Sequence, residues 1–166
     1  PNILFDTKIL KKGANIVKKV NKEVAAIIGI NPAARTTCVK PSGNASVLLQ
    51  TASGIHAEHS PMYIRNIQMN KESEITQAIA RTNPFMVEES VWSANGTDLV
   101  VSFPIVPKNG SMFKDDLYGV KHLEMVKKAQ KNWVVEGTNE ELCADEGIRH
   151  NVSNTIIVDD WDDVEK

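Results

Sequence analysis

The part of the sequence most suited to chemistry is a loop of small residues from Pro41 to Ser46. It follows a β-branched run and precedes an apolar segment, so it stands where a strand would pass into a helix. Gly43 permits a tight turn or the close approach of a ligand, and Ser42 and Asn44 are good helix N-cap residues. A helix start of this kind presents N–H groups and the positive end of the helix dipole. The loop therefore predicts either a phosphate site or, equally, a capped helix that binds nothing.

Histidines and cysteines are the other candidates for chemistry. His56 and His59 have a three-residue spacing that can chelate a metal on a helix, but no third ligand is fixed nearby by sequence. We therefore expect hydrogen-bonded loop histidines and no metal site. Cys38 falls in a predicted buried strand and Cys143 lies among acidic residues, and both settings disfavour the reactive thiolate. The sequence thus predicts no catalytic residue in this chain.

Charge is distributed unevenly along the chain. Residues 1–70 carry nine Lys and Arg against three Asp and Glu, whereas residues 71–166 carry ten against eighteen. An anion at the loop would meet a favourable field. The more common outcome of such a charge run is the solvated face of one helix, here formed by Lys11, Lys12, Lys18, Lys19 and Lys22. The net charge of −2 and the lack of aromatic residues among the basic ones argue against nucleic-acid binding.

Composition indicates a globular protein of a reducing compartment. The 166 residues are 42% hydrophobic and 24% charged, which is typical of a chain with a packed core. No apolar run is long enough for a bilayer, and the first residues lack the features of a signal peptide. The two cysteines are widely separated, which is unlike a disulfide framework. We therefore expect a cytoplasmic protein with no membrane partner.

The predicted elements that would position the loop alternate between helix and strand. Helices are predicted over 10–28, 44–51, 72–81 and 115–135, and strands over 35–39, 62–69, 99–106 and 151–158. Gly29 is placed to end the first helix, a further helix begins at Asp159 or Asp160, and Pro104 is awkward for a central strand. The alternation favours an α/β fold. No repeat or linker divides the chain, so residues 1–166 are treated as a single segment.

Two motifs together resemble those of ribonucleotide reductase catalytic chains. The first, residues 36–46, reads Thr-Thr-Cys-Val-Lys-Pro-Ser-Gly-Asn-Ala-Ser. The second, residues 51–65, contains Ser-Gly-Ile-His at 53–56 and Tyr-Ile-Arg at 63–65. The class II, adenosylcobalamin-dependent enzymes show a similar loop, then Ser-Gly-Ile-His and a Tyr-Tyr-Ile-Arg strand. The later segments 101–104 and 151–156 follow the order of that family. The resemblance covers most of the chain.

The resemblance implies a fold, a ligand and a set of binding residues. The chain would be part of a ten-stranded α/β barrel that reduces ribonucleotides by thiyl-radical chemistry begun from adenosylcobalamin. The loop would hold the phosphates of a ribonucleoside di- or triphosphate through Pro41, Ser42, Gly43, Asn44, Ala45 and Ser46. Supporting residues would be Thr37, Lys40, His56 and Arg65.

Departures from the family pattern limit what this segment is expected to do alone. Asn44 stands where Thr is usual, and Asn31-Pro32 is followed by Ala33 instead of a radical-bearing cysteine. We therefore expect an inactive segment that does not hold cobalamin by itself. Its partner would be the remainder of the reductase chain or a complementary split subunit, and self-association through an exposed sheet edge is a further expectation. A class I large-chain segment and a non-catalytic nucleotide-binding or assembly module derived from a reductase are the alternatives.

Overall fold

The computed structural model describes residues 5–42, 44–158 and 161, which form two compact units. The larger unit combines the described residues up to Glu58 with those from Lys108 onward, and the smaller unit is His59–Pro107. In sequence, the smaller unit is thus inserted between the two parts of the larger unit, and no linker pattern marks its boundaries. None of the helices in the described ranges combines the length and apolar character that a membrane crossing requires.

Helix α1, Thr7–Ile28, confirms the first predicted helix of the larger unit. The carboxylate of Asp6 caps it by accepting hydrogen bonds from the N–H groups of Lys8 and Ile9, at 2.8 and 3.1 Å. Gly29 ends it as predicted, with φ of 75° and an N–H that donates to the Ala25 carbonyl. The left-handed conformation suits glycine because it has no Cβ.

Three further helices follow α1. Helix α2 is the six-residue segment Asn44–Leu49, helix α3 is Glu74–Thr82, and helix α4 is Gly119–Ala129.

The predicted long helix over 115–135 is shorter and less regular than expected. Helix α4 runs directly into a π-helical turn, Gln130–Val135, on which α1 packs. His122 and Ala129 are buried on α4. Of the predicted apolar row, Leu117 is buried and Val126 and Trp133 pack against the core, whereas Val120 and Leu123 are exposed.

A three-stranded antiparallel sheet forms the smaller unit. Strands β1, Tyr63–Asn70, and β2, Val87–Glu89, both pair with β3, Asp98–Ile105, in the order β1–β3–β2. Helix α3 and a 3₁₀ turn connect β1 to β2. Along β1, half-buried and exposed residues alternate, which confirms the predicted strand with one exposed face.

Strand β3 corrects the expectation of a strand buried on both faces. Among its eight residues only Val101 is fully buried, because one face of the small sheet is open. Pro104 is tolerated in this central strand because the pairing of β2 ends at Val101. Beyond that point β3 has a described neighbour on one side only, where a missing N–H donor is less costly.

The two strands predicted in the larger unit do not form. Residues 35–39 make only isolated bridges, from Arg35 to Thr138 and from Val39 to Val152, and residues 151–158 share the second bridge. The β-branched run over 35–39 bonds instead to the turn that follows α4, because the N–H and hydroxyl of Thr36 both donate to the Gly137 carbonyl. The helix start at Asp159 or Asp160 lies outside the described residues.

The core of the larger unit lies where α4, the π-helical turn and the segment after residue 150 meet. It consists of Ile55, Ala129, Val134 and Val152, with partly buried neighbours that include Val39 and Trp133. The predicted α/β class is correct, because the described residues form helices and a small antiparallel sheet. Residues on both sides of the loop, at positions 39 and 55, are anchored in this core.

Candidate functional site

The chain just before helix α2 is held in place by the turn that follows the helix. The N–H of Ser42 donates to the hydroxyl oxygen of Ser53 at 3.0 Å. Gly54 has φ of +60° and lies against Lys40, where a Cβ would come within 2.9 Å of the carbonyl oxygen. The residue pair Ser53-Gly54 therefore fixes the path of Lys40–Ser42, and a side chain at position 54 would displace it.

The predicted phosphate-binding residues differ in exposure and in their partners. Pro41, Ser42 and Ala45 are exposed, whereas Ser46 is buried. The amides of Ser42 and Ala45 already have acceptors within the protein, since the N–H of Ala45 donates to the Ser42 carbonyl at 3.1 Å. Gly43 and the side chain of Asn44 lie outside the described part of the chain. Phosphate binding by this loop remains a prediction.

Thr37, predicted as a supporting residue, is buried in the packing of the larger unit. Its hydroxyl donates to the Trp133 carbonyl at 2.6 Å, and its carbonyl lies 3.1 Å from Nδ1 of His150. Gly137 leaves the space for this hydroxyl, because a Cβ there would lie 1.9 Å from the Thr37 oxygen. Sequence reasoning missed Gly137, since nothing near it in the sequence signals this contact.

His56, another predicted supporting residue, uses both ring nitrogens inside the protein. Its Nδ1 lies 2.6 Å from the Ser53 carbonyl, and its Nε2 accepts the N–H of Thr155 at 2.8 Å. A carbonyl can only accept and an N–H can only donate, so both bonds require the neutral ring with its proton on Nδ1. His56 therefore joins the turn after α2 to the segment after residue 150.

His122 lies beside His56, although its sequence position gave no reason to select it. The two rings meet edge to face, with centroids 6.0 Å apart. His122 is buried, and its Nε2 has no hydrogen-bond partner among the described residues. Burial lowers the pKa of His122, the neighbouring His56 lowers it further, and a hydrogen bond to the Ile55 backbone opposes both. The uncharged form of this ring is therefore favoured more than in an exposed histidine.

Lys40 and Arg65, the two predicted cations, lie in different units. Lys40 is exposed in the larger unit. Arg65 is half-buried on β1 in the smaller unit, where its Nη2 donates to the hydroxyl of Tyr63 at 2.9 Å and its guanidinium lies 5.7 Å from the centre of that ring. Each cation is thus placed by its own unit, and Arg65 is oriented by an aromatic neighbour two residues away.

The environment of Cys38 corrects one expectation. Cys38 is exposed, since the predicted buried strand around it does not form. Cys143 is half-buried, with its sulfur 3.5 Å from the carbonyls of Asn139 and Ile148. Within the described ranges, no group of three or more His, Cys, Asp or Glu side chains is arranged to hold a metal ion.

A hollow of about 350 Å³ lies in the smaller unit, beside the open face of its sheet. Two glutamates, two amides and an exposed tryptophan contribute to its lining, together with two valines: Asn66, Gln68, Glu88, Glu89, Val91, Trp92 and Val100. The amides are already engaged, because Gln68 donates to Asp98 and Asn66 accepts from Ser102. None of the residues predicted for phosphate binding lines this hollow.

Two curated relatives are similar to most of this chain. It is 26% identical over 121 residues to a probable adenosylcobalamin-dependent ribonucleoside-triphosphate reductase of Dictyostelium discoideum, covering 73% of this chain and 16% of the relative. It is 23% identical over 124 residues to the adenosylcobalamin-dependent ribonucleoside-triphosphate reductase of Euglena gracilis, covering 75% of this chain and 17% of the relative. No family model matches the chain.

A solved structure has the same fold over a similar share of the chain. It is a crystal structure of a B12-dependent, class II ribonucleotide reductase, which matches with a TM-score of 0.62 and 19% identity over 76% of this chain. The match covers 18% of the solved chain, and this chain spans less than a fifth of the length of both relatives. The resemblance to class II reductases predicted from the two motifs is thereby confirmed over about three quarters of the chain.

Proposed function

We propose that this chain, a homologue of the adenosylcobalamin-dependent ribonucleotide reductases, supplies the substrate-phosphate-binding part of such an enzyme. The observation that carries the proposal is the sequence similarity to two relatives of that one activity over about three quarters of the chain. The complete enzyme is an oxidoreductase that converts ribonucleotides to 2′-deoxyribonucleotides. Both relatives are named triphosphate reductases, so a ribonucleoside triphosphate is the first substrate to test and a diphosphate is the second.

Phosphate binding is assigned to the loop that leads into helix α2. The assigned residues are Pro41, Ser42 and Gly43, which lead into the helix, and Asn44, Ala45 and Ser46, which form its first turn. Lys40, which precedes them, is an exposed cation that would attract an anion. Since the amides of Ser42 and Ala45 have acceptors within the protein, we assign the phosphate contacts to the Ser42 hydroxyl and to the backbone at Gly43 and Asn44. The anchored path of Lys40–Ser42 supports the assignment because a preorganised loop loses less entropy on binding.

Adenosylcobalamin is assigned to the complete enzyme and not to this segment alone. The hollow in the smaller unit has a volume of about 350 Å³, near the lower end of the range for drug-sized ligands. A hollow of this volume is too small for a corrin ring with its bulky substituents. When bound to the complete enzyme, the cofactor supplies the radical that starts the reaction. The residues of this chain bind and orient the nucleotide.

An exposed apolar stripe on α1 supports a polypeptide partner. Helical spacing places five side chains on one face of the helix, and each is between 46% and 82% exposed: Ile9, Ile16, Val20, Val24 and Ile27. A contiguous apolar stripe of this kind usually marks an interaction surface. We assign its partner as the remainder of the reductase chain or a complementary split subunit. Self-association through the edge of β1, which pairs with a described strand on one side only, is a second contact to test.

The test is reduction of a ribonucleoside triphosphate by this chain with and without the rest of the reductase. We expect no turnover by the segment alone and turnover by the complete enzyme that depends on adenosylcobalamin. Turnover that requires a separate radical-generating subunit instead of adenosylcobalamin would indicate a class I enzyme and contradict the proposal. Nucleotide binding with no turnover under either condition would indicate a non-catalytic module.

A further inference from the structure

Three hydrogen bonds connect the segment after residue 150 to Val39 and His56, which lie on either side of helix α2 in the sequence. Val39 is fixed to the segment after residue 150, because its N–H donates to the Asn151 carbonyl and its carbonyl accepts the N–H of Ser153. Two residues further along the same segment, the N–H of Thr155 donates to His56, which is 99 residues away in sequence. The segment after residue 150 therefore holds both Val39, before the loop, and the ring of His56, after helix α2.

Ser53 is the link between His56 and the loop. Its carbonyl accepts the Nδ1 proton of His56, and its hydroxyl accepts the N–H of Ser42. The half-buried imidazole therefore fixes the backbone of Ser53, and that backbone orients the hydroxyl that holds Ser42. Gly54 lies against Lys40, where a Cβ would come within 2.9 Å of the carbonyl oxygen.

Direct contact between His56 and a phosphate would conflict with these bonds. A histidine that binds phosphate as a cation carries protons on both nitrogens, but Nε2 here must stay unprotonated to accept the N–H of Thr155. The geometry suits a histidine that orders the protein around it.

We propose that His56 is a positioning residue for nucleotide binding, which acts through Ser53 on Ser42 and through Thr155 on the segment after residue 150. This inference rests on the proposed function, because the nucleotide is the ligand assigned to the loop. His56 itself does not contact the phosphates. The bond to Ser53 is the one that sets affinity, whereas the bond to Thr155 holds the ring.

Two variants of the complete enzyme separate the two bonds of His56. In His56→Asn the amide nitrogen takes the place of Nδ1 and keeps the donor to Ser53, but the acceptor for Thr155 is lost. In His56→Gln the longer side chain brings an amide oxygen to the place of Nε2 and keeps the acceptor for Thr155, but the donor to Ser53 is lost. We expect His56→Gln to raise KM for the ribonucleoside triphosphate about tenfold with kcat little changed, which is the factor for one net hydrogen bond. We expect His56→Asn to raise KM by about threefold or less. Equal losses in the two variants, or no loss in either, would overturn the inference.

Amide hydrogen exchange without nucleotide separates this inference from the proposed function. We expect faster exchange at Ser42 in His56→Gln and faster exchange at Thr155 in His56→Asn. Unchanged exchange at Ser42 in His56→Gln would overturn the positioning role of His56. Faster exchange at Ser42 with unchanged KM would instead overturn the assignment of the loop to phosphate.

Ser53→Ala reaches the same contact without altering the imidazole, and it keeps the test decisive if a His56 variant does not fold. It removes the hydroxyl acceptor of the Ser42 N–H and leaves the Ser53 carbonyl in place. We expect the same faster exchange at Ser42 and a similar rise in KM, of about tenfold. An unchanged KM with faster exchange at Ser42 would count against the loop as the phosphate site.

Discussion

Thr37 shows how a residue in a recognised motif can have a structural task. The motif resemblance assigned it to the support of phosphate binding, yet its hydroxyl bonds to the Trp133 carbonyl at 2.6 Å in the packed interior. The carbonyl it meets belongs to the π-helical turn, and the N–H of Gly137 donates to the same oxygen. A threonine there is explained by this bond and by the glycine that makes room for it.

Gly137→Ala should destabilise the chain by about 1–3 kcal/mol, because the new Cβ would overlap the Thr37 side chain in a filled site. The measurement is urea-induced unfolding of the purified chain. In a Thr37→Ala background the same substitution should cost less, since the overlapping hydroxyl and methyl are gone. Losses that add without coupling would show that the two residues do not meet.

At the residue scale, the loop and His56 could be singled out from the sequence because both lie in short characteristic motifs, and their part in phosphate binding stays a prediction. It could not predict the bond from Thr155 to His56, since the partners are 99 residues apart and neither residue type demands the other. It also could not predict that the amides of Ser42 and Ala45 are bonded within the protein, because that depends on the turn at Ser53 and on the start of α2.

At the element scale, the predictions that succeeded are those with long periodic patterns. Helix α1 has an apolar face over 22 residues with a glycine at its end, and β1 alternates over eight residues. The predicted strand over 35–39 failed because a short β-branched run can satisfy its backbone in several ways. Its hydrogen bonds go to the turn after α4 and to the segment after residue 150, and neither destination is visible in the local sequence.

Helix α2 ends at a residue that is poorly suited to its conformation. Gln50 has φ of 53°, in the left-handed region that disfavours a side chain, and its N–H donates to the Val47 carbonyl. Gln50→Gly should therefore stabilise the chain by about 1 kcal/mol by removing this strain. Gln50→Ala is the matched control, because it removes the same side-chain polarity but keeps the Cβ. Equal stability of the Gly and Ala variants in thermal unfolding would contradict the assignment of strain.

At the scale of the whole molecule, the structure leaves apolar surface exposed on α1 and an open edge on β1. A soluble domain that completes its own core seldom leaves a helical stripe of this extent without a partner. The stripe supports the proposal of a polypeptide partner. The ten-stranded barrel implied by the motif resemblance is part of the same proposal.

Global stability should depend on pH through His122. Burial lowers the pKa of this ring in the folded state, so the unfolded chain, with an ordinary histidine pKa of about 6.5, binds the proton more readily. The stabilising contribution of the neutral ring is therefore present above about pH 6.5 and is lost as the pH falls through the folded-state pKa. Urea unfolding of the chain between pH 8 and pH 5 measures this loss.

The matched control for this pH dependence is His122→Asn, whose amide nitrogen takes the place of Nδ1 and which does not titrate. The free energy of unfolding of the variant should fall less steeply between pH 7 and pH 5 than that of the native chain. Identical slopes in the two proteins would show that His122 does not titrate on unfolding in this range.

The central claim is that the loop before α2 holds the phosphates of a ribonucleotide. Its most direct test is the dissociation constant of a ribonucleoside triphosphate from the complete reductase that carries Gly43→Val. The branched side chain should crowd the backbone that the phosphates approach and weaken binding about tenfold or more, the loss expected for one or more hydrogen bonds. Adenosylcobalamin, which the proposal assigns to other parts of the enzyme, should retain its affinity. A nucleotide dissociation constant equal to that of the native enzyme would contradict the account.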